Sequence, residues 1–340
     1  MSTVTVHDRT YEILEESKPC FLGRWFEKEV DGIPHTVTTT DGAKIYFLTE
    51  GAESFTVCFT VITRITTPMF AFSVDGAEPV RRPITEPTVA LPDMGCHTVC
   101  LTMDGMSEAE GKWYEEIGFA VKGVTVSEGG RLWGIRPTAP LVFFYGDSIT
   151  EGINALGTRG DSQSNSATHA YPHYCAEALG VTPYYIGYGA SGMVRVGWFN
   201  TMEKAIDRMS RRCRVADSPA ADQKPDLIVI NHGTNDGGLL TQEFTVAARD
   251  TLTRLSEVYP NVPVVYVIPL FQSQAEAIRT LMADYSKGHV VETLGWPVTY
   301  SDGIHPGAEG AKVFGERLAE ELKKIFGENY FTTRHESEKI

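Results

Sequence analysis

Long hydrophobic runs, paired cysteines and an excess of positive charge are what this chain does without. No apolar stretch approaches the roughly 20 residues a helix needs to cross a bilayer, so no membrane-spanning role is expected. Thirty Lys and Arg stand against 44 Asp and Glu, a formal charge of −14. A chain of that sign is repelled by nucleic-acid phosphates and by anionic membrane surfaces, and neither partner is expected. Six cysteines are scattered without metal-ligand spacing. Cys96 and Cys100 lie four apart in an expected strand and read as small core residues on one face. The N-terminus, Met1-Ser-Thr-Val-Thr-Val-His-Asp, has neither the basic start nor the apolar core of a signal peptide. The expectation is a cytoplasmic protein with free thiols. Repeats and low-complexity segments are also missing, and 340 residues suffice for two domains or one large one.

What is present changes character along the chain. From about Ala43 to Ser127 the pattern has period two, with β-branched and aromatic strands at Lys44–Leu48, Phe55–Val61, Met69–Val74, His97–Met103 and within Glu116–Val126. Asp41-Gly42, Asp75-Gly76, Asp104-Gly105 and Gly129-Gly130 supply turns between them. This predicts a β-sandwich domain over residues 1–136, with a carbohydrate-binding or cleft-bordering role open to it. Gly134 to Pro140 reads as a proline-stiffened linker. Beyond it, over 137–330, strands at Leu141–Tyr145, Tyr184–Tyr188, Asp226–Asn231 and Val262–Pro269 alternate with helical segments. Those lie near His169–Leu179, Trp198–Arg212, Thr241–Tyr259, Gln272–Tyr285 and Gly307–Phe326. The alternation predicts a parallel sheet with helices on both faces. Residues 331–340 read as a polar, frayed tail.

Four motifs fall at the ends of those strands. Gly146-Asp147-Ser148 follows the all-apolar Leu141–Tyr145, which puts a serine hydroxyl at the carboxyl end of a central strand, where open α/β sheets place ligands. A short helix starting at Ile149 would aim amides at whatever Ser148 attacks, although Asp and Ser at such a place also serve simply as caps. Gly187-Tyr-Gly189-Ala-Ser-Gly follows the second strand and lets a backbone N–H approach a ligand. Gly233-Thr-Asn235-Asp236 follows the third; a neutral amide such as Asn235 can donate to a developing oxyanion. Glycine-rich stretches of both kinds are also ordinary turn chemistry. Last comes Asp302-Gly-Ile-His305, with Pro306 in a first helical turn and His305 at or beside the N-cap. Three residues of separation let Asp302 hold the imidazole Nδ1–H and leave Nε2 free, a base with its orienter.

A nucleophile turn, two oxyanion donors and a base pair on one α/β unit resemble the SGNH, or GDSL, hydrolase family over roughly residues 140 to 326. The resemblance implies a flavodoxin-like three-layer α/β/α domain, preceded here by the β-sandwich, which would be jelly-roll-like. It also implies Ser148 as nucleophile, His305 as base and Asp302 as orienter, with an oxyanion hole from the Ser148 and Gly189 amides and the Asn235 side chain. One departure is visible: Gly187 stands where many members carry Asn.

A β-domain followed by such a hydrolase domain is also similar to carbohydrate esterase family 2, whose members deacetylate plant polysaccharides. This implies a serine esterase removing O-acetyl groups from acetylated oligosaccharides through an acyl-enzyme. The run Asn154–Thr168 beside the serine turn reads as polar and flexible, which agrees, since a lipid-binding lid would be apolar there. Trp296 and Trp198 are candidate sugar-stacking residues, or ordinary core tryptophans; His232 is a candidate site residue, or a packing one. Two further readings stay open: a lipase, lysophospholipase or thioesterase of the same family, and a non-catalytic carbohydrate-binding protein. No metal or cofactor is required by a serine mechanism, and nothing in the sequence specifies an oligomeric state.

Overall fold

The computed structural model describes residues 2–6, 9–113, 115–197 and 224–332. Its first part is built from thirteen strands: β1 (Thr3–Val6), β2 (Arg9–Glu16), β3 (Cys20–Leu22), β4 (Trp25–Val30), β5 (Ile33–Thr38), β6 (Lys44–Glu50), β7 (Ser54–Val61), β8 (Met69–Val74), β9 (Val80–Pro83), β10 (Thr88–Ala90), β11 (Cys96–Gly105), β12 (Phe119–Val126) and β13 (Arg131–Pro137). They form two antiparallel sheets, one ordered β1-β2-β13-β6-β11-β8-β9 with β3 beside β6, the other β10-β7-β12-β5-β4. Alternate residues of both sheets, among them Ile45, Phe47, Phe55, Val57, Phe70, Leu101 and Phe119, meet in one apolar core. The other face of β6 is buried too, because Tyr46 and Leu48 join a core shared with the second part of the chain.

That second part has a five-stranded parallel sheet: β14 (Leu141–Gly146), β15 (Thr182–Gly187), β16 (Leu227–Asn231), β17 (Val264–Val267) and β18 (Gly288–Val291). The order β15-β14-β16-β17-β18 is the doubly wound one, and its direction reverses at β14. The helices are α1 (Ser148–Glu151), α2 (Tyr171–Leu179), α3 (Thr241–Val258), α4 (Ala275–Ala283) and α5 (Ala308–Phe326). Phe143, Tyr145, Ile228 and Tyr266 face α3 and α4, whereas Val142, Phe144, Val229 and Val265 face α2 and α5. This is a three-layer α/β fold.

Several expectations are corrected. β18 was not among the expected strands: at four residues, Gly-His-Val-Val is too short to show a period. Asp104-Gly105 is no turn; β11 runs through it with a bulge. Gly105 is there because a Cβ would collide with the Asn165 carbonyl, and Asp104 is fully buried, accepting from Ser166 and Thr168. The expected linker shrinks to Thr138–Pro140, since Gly134–Pro137 continue β13 and Pro137, at the strand's end, owes the ladder no N–H. Cys96 is exposed rather than core. Phe331 is buried at the end of a 3-10 turn, so the tail begins after it. The helix expected over Trp198–Arg212 lies outside the described residues. Among the described residues no helix is long and apolar enough to cross a membrane.

The two parts are joined by more than a tether. Tyr11, Leu22, Tyr46, Leu48, Trp113 and Ile135 of the sandwich share a core with the parallel sheet's α3 side. Trp113 lies 4.5 Å from Tyr188, ring centre to ring centre. Fully buried Lys112 pairs with Glu151 of α1 and sits 3.5 Å from Asp41.

Candidate active site

Three of the four strand-end motifs are positioned by the parallel sheet, and the fourth by the loop before α5. β14 stops at Gly146, and Asp147 caps α1, its Oδ1 accepting the Ile149 N–H at 3.0 Å. Ser148 is therefore the first residue of that helix, and it is 5% exposed. Burial, with Asp236 nearby, pushes the Asp147 carboxyl up to about 7, against the Ile149 hydrogen bond that lowers it.

His305 Nε2 lies 2.9 Å from Ser148 Oγ, and His305 Nδ1 lies 2.7 Å from Asp302 Oδ2. With Nδ1 donating to the carboxylate, Nε2 is left to accept the serine proton. The expected placement of His305 at a helix cap is corrected: Gly307 caps α5, and Pro306 bridges back to Tyr300. Ser301 N–H and Oγ both donate to the His305 carbonyl, so the imidazole rides on a closed five-residue loop. Partial burial would raise the Asp302 pKa. Hydrogen bonds from the His305 backbone and imidazole, Asn154 and the Ile304 N–H outweigh it and hold the carboxyl well below the usual range.

Asn154 was missed by sequence reasoning. Its Nδ2 donates at 2.7 Å to the Asp302 oxygen that also binds the imidazole. Asn154 is locked in turn: its N–H donates to Asn165 Oδ1, and its own Oδ1 accepts the Gly160 N–H. The loop from Asn154 to Thr168, expected to be polar and flexible, is polar because it is hydrogen-bonded. Ser162, Ser164, Asn165 and Ser166 are buried against the sandwich, and Asn165 donates to the Met106 carbonyl. Only the fold could reveal this, since Asp302 and the sandwich partner Met106 are distant in sequence.

The other two motifs fasten one turn. Asn235 Nδ2 donates to the Ser191 carbonyl at 2.9 Å and to Asp147 Oδ2 at 3.3 Å. Asp236 accepts from the N–H groups of Met193, Val194 and Arg195, which holds the turn after Gly189 from beneath. These bonds support the turn that follows Gly187. A Cβ at Gly189 would meet the Glu108 carboxylate, which the sandwich extends over this turn. Glu108 is the second residue the sequence did not single out.

The remaining candidates fare differently. Trp296 is half-buried, edge-on to Phe314 in the core under α5. His232 is fully buried, and burial pushes its imidazole down to about 4, so it is neutral there. Trp198 lies outside the described residues.

A doubly wound α/β sheet with serine, imidazole and carboxylate in one hydrogen-bonded row at its switch point defines a serine hydrolase of the SGNH class. The chain belongs to the GDSL-like lipase/acylhydrolase family, whose profile matches residues 144–313, half of its length. It is a carboxylic ester hydrolase. No curated protein sequence matches it. Among solved structures it is similar to a family two carbohydrate esterase from Clostridium thermocellum in complex with cellohexaose (18% identity, 91% of this chain and 99% of that one, TM-score 0.71). It is similar also to an acetyl xylan esterase from the rumen bacterium Butyrivibrio proteoclasticus (17%, 94% and 99%, TM-score 0.69). A salicylyl-acyltransferase from a tetracycline biosynthetic pathway shares the fold as well (17%, 93% and 98%, TM-score 0.63).

Proposed function

We propose that this protein removes O-acetyl groups from acetylated oligosaccharides by way of an acetyl-enzyme on Ser148. The observation that carries this is the unbroken row Ser148 Oγ, His305 Nε2, His305 Nδ1, Asp302 Oδ2. In the first half-reaction Ser148 Oγ attacks the ester carbonyl carbon while its proton passes to His305 Nε2. Negative charge collects on the carbonyl oxygen, which the Ser148 and Gly189 N–H groups and the Asn235 amide stabilise. The Asn235 N–H aimed at Asp147 makes the longer of its two hydrogen bonds and is the one free to turn and donate to the oxyanion. Collapse breaks the bond to the sugar oxygen, which takes the proton from His305. Water then repeats the sequence and releases acetate.

The small acyl group and the polar leaving group are supported by the surroundings. Glu108 stands over the Gly189 turn, and the neighbouring Asn154–Thr168 loop is polar; neither suits a long acyl chain. The two relatives named as carbohydrate esterases agree with that reading. The sandwich orders β6-β11-β8-β9 and β10-β7-β12-β5 support a jelly roll. We divide the chain into a sandwich that ends with β13 at Pro137, a hydrolase unit that runs from β14 through the buried Phe331, and a tail beyond it, the sandwich bordering the cleft through Glu108. The test is a panel of acetyl, butyryl and octanoyl esters of one alcohol, together with acetylated xylo-oligosaccharides, read by released acid. Acetyl preference and acetate from the saccharides are expected. Preference for octanoyl would support the lipase reading instead, and acyl transfer to added alcohols in place of water would make it a transferase.

A further inference from the structure

A large cavity lies away from Ser148. It occupies about 890 Å³ between the outer face of the eight-stranded sheet and the helices α2 and α5, and none of the proposed catalytic residues lines it. The strand period explains its walls. Ile45, Phe47, Val99 and Leu101 point into the sandwich core, so Lys44, Tyr46, Cys100 and Thr102 must point the other way. Register places Lys44 opposite Thr102 and Tyr46 opposite Cys100. Two domains joined only for stability would fill such a gap with apolar side chains. Here the gap is kept open, and Lys44, Thr102 and several tyrosines line it beside apolar residues.

Lys44 is the informative residue. It is 5% exposed, and its ammonium donates to Thr102 Oγ1 at 2.9 Å and lies 6.0 Å from the Tyr185 ring centre. Among the described residues no carboxylate pairs with it. A buried cation without a counter-ion is costly, and the usual remedy is an anion brought to it. The other charges around the cavity are already matched: Arg9 with Glu177, and Lys312 with Glu316. Glu78 is exposed at the rim, in solvent. Burial and the adjacent Lys44 hold His173 well below the usual range, so it adds no second cation. One unmatched positive charge calls for one negative charge, which favours a carboxylate over a doubly charged phosphate. Tyr11, Tyr46 and Tyr174 add ring faces and hydroxyls, the surfaces that hydroxylated rings bind.

We propose that this cavity is a second binding site, for a sugar acid: a saccharide unit bearing a single carboxylate that pairs with Lys44. The site does not depend on the esterase reading, because it is tested without any ester. The test is calorimetric titration of the full-length protein with D-glucuronate and with D-glucose. One equivalent of glucuronate should bind at least about tenfold more tightly than glucose, the worth of a charge-assisted hydrogen bond. Lys44→Met should bring glucuronate down to the level of glucose while hydrolysis of a small acetate ester stays unchanged. If that variant does not fold, Thr102→Val, which removes the oxygen that aims the ammonium, should weaken glucuronate binding several-fold. Ser148→Ala should bind glucuronate like the wild type. Equal binding of the acid and the neutral sugar would overturn the proposal. So would undiminished binding in Lys44→Met, the absence of binding at millimolar glucuronate, or loss of binding in Ser148→Ala.

Discussion

Asp302 makes four hydrogen bonds, two to backbone N–H groups, one to the imidazole and one to Asn154. The backbone pair fixes the carboxylate against its own loop; Asn154 alone ties it to a different part of the chain. Asn154→Ala should therefore lower kcat about tenfold or more with little change in KM, because the base loses its alignment while the substrate keeps its contacts. The variant also has a pH signature. Asp302 is depressed from 3.8, so what its hydrogen bonds contribute to stability is present above about pH 4 and lost as pH falls below it. The gap in Tm between wild type and Asn154→Ala should be largest near neutrality and should close in acid. A gap that stays constant even as pH falls through the depressed folded pKa of Asp302 would mean that Asn154 supports the loop and not the carboxylate. Asn235→Ala should cost about 10² to 10³ in kcat, as an oxyanion donor does. If KM rises and kcat holds, the residue binds the ground state instead.

The elements divide sharply in how far they could be read in advance. The serine turn, the Asn235-Asp236 turn and the Asp302–His305 loop were legible because their chemistry demands particular residues within a few positions of a strand end. The central strands were legible because β14 and β16, buried on both faces, are apolar up to their last residues. The Asn154–Thr168 loop was misread as flexible, since its partners Met106, Thr67 and Asp104 come from the sandwich and no local pattern announces them. Asp104-Gly105 was misread as a turn for the same reason: the glycine answers to Asn165, some sixty positions away. That misreading supplies a test. Gly105→Ala should destabilise the protein by about 1–3 kcal/mol, the usual cost of overfilling a packed site. It should also lower kcat, because the displaced loop carries Asn154; unaltered kinetics and stability would show the contact to be slack.

At the scale of the whole molecule, sandwich and hydrolase unit share a core and a buried ion pair, so the catalytic arrangement is held from both sides. Lys112 is buried beside Glu151, which belongs to the same short helix as Ser148. Lys112→Met leaves that carboxylate uncompensated and should cost about 3–5 kcal/mol in urea unfolding. Adding Glu151→Gln should recover much of the loss, and a loss unchanged in the double variant would contradict a paired charge. All of this serves one claim, that Ser148 carries the acyl group. Mixing the enzyme with a nitrophenyl acetate, quenching within a turnover and mapping the acetyl group by peptide mass spectrometry tests it most directly. The account predicts one acetyl group on the peptide containing Ser148 and none in Ser148→Ala, whose kcat should fall at least about 10⁴-fold. Acetyl on another residue, or near-normal turnover in a folded Ser148→Ala, would contradict it.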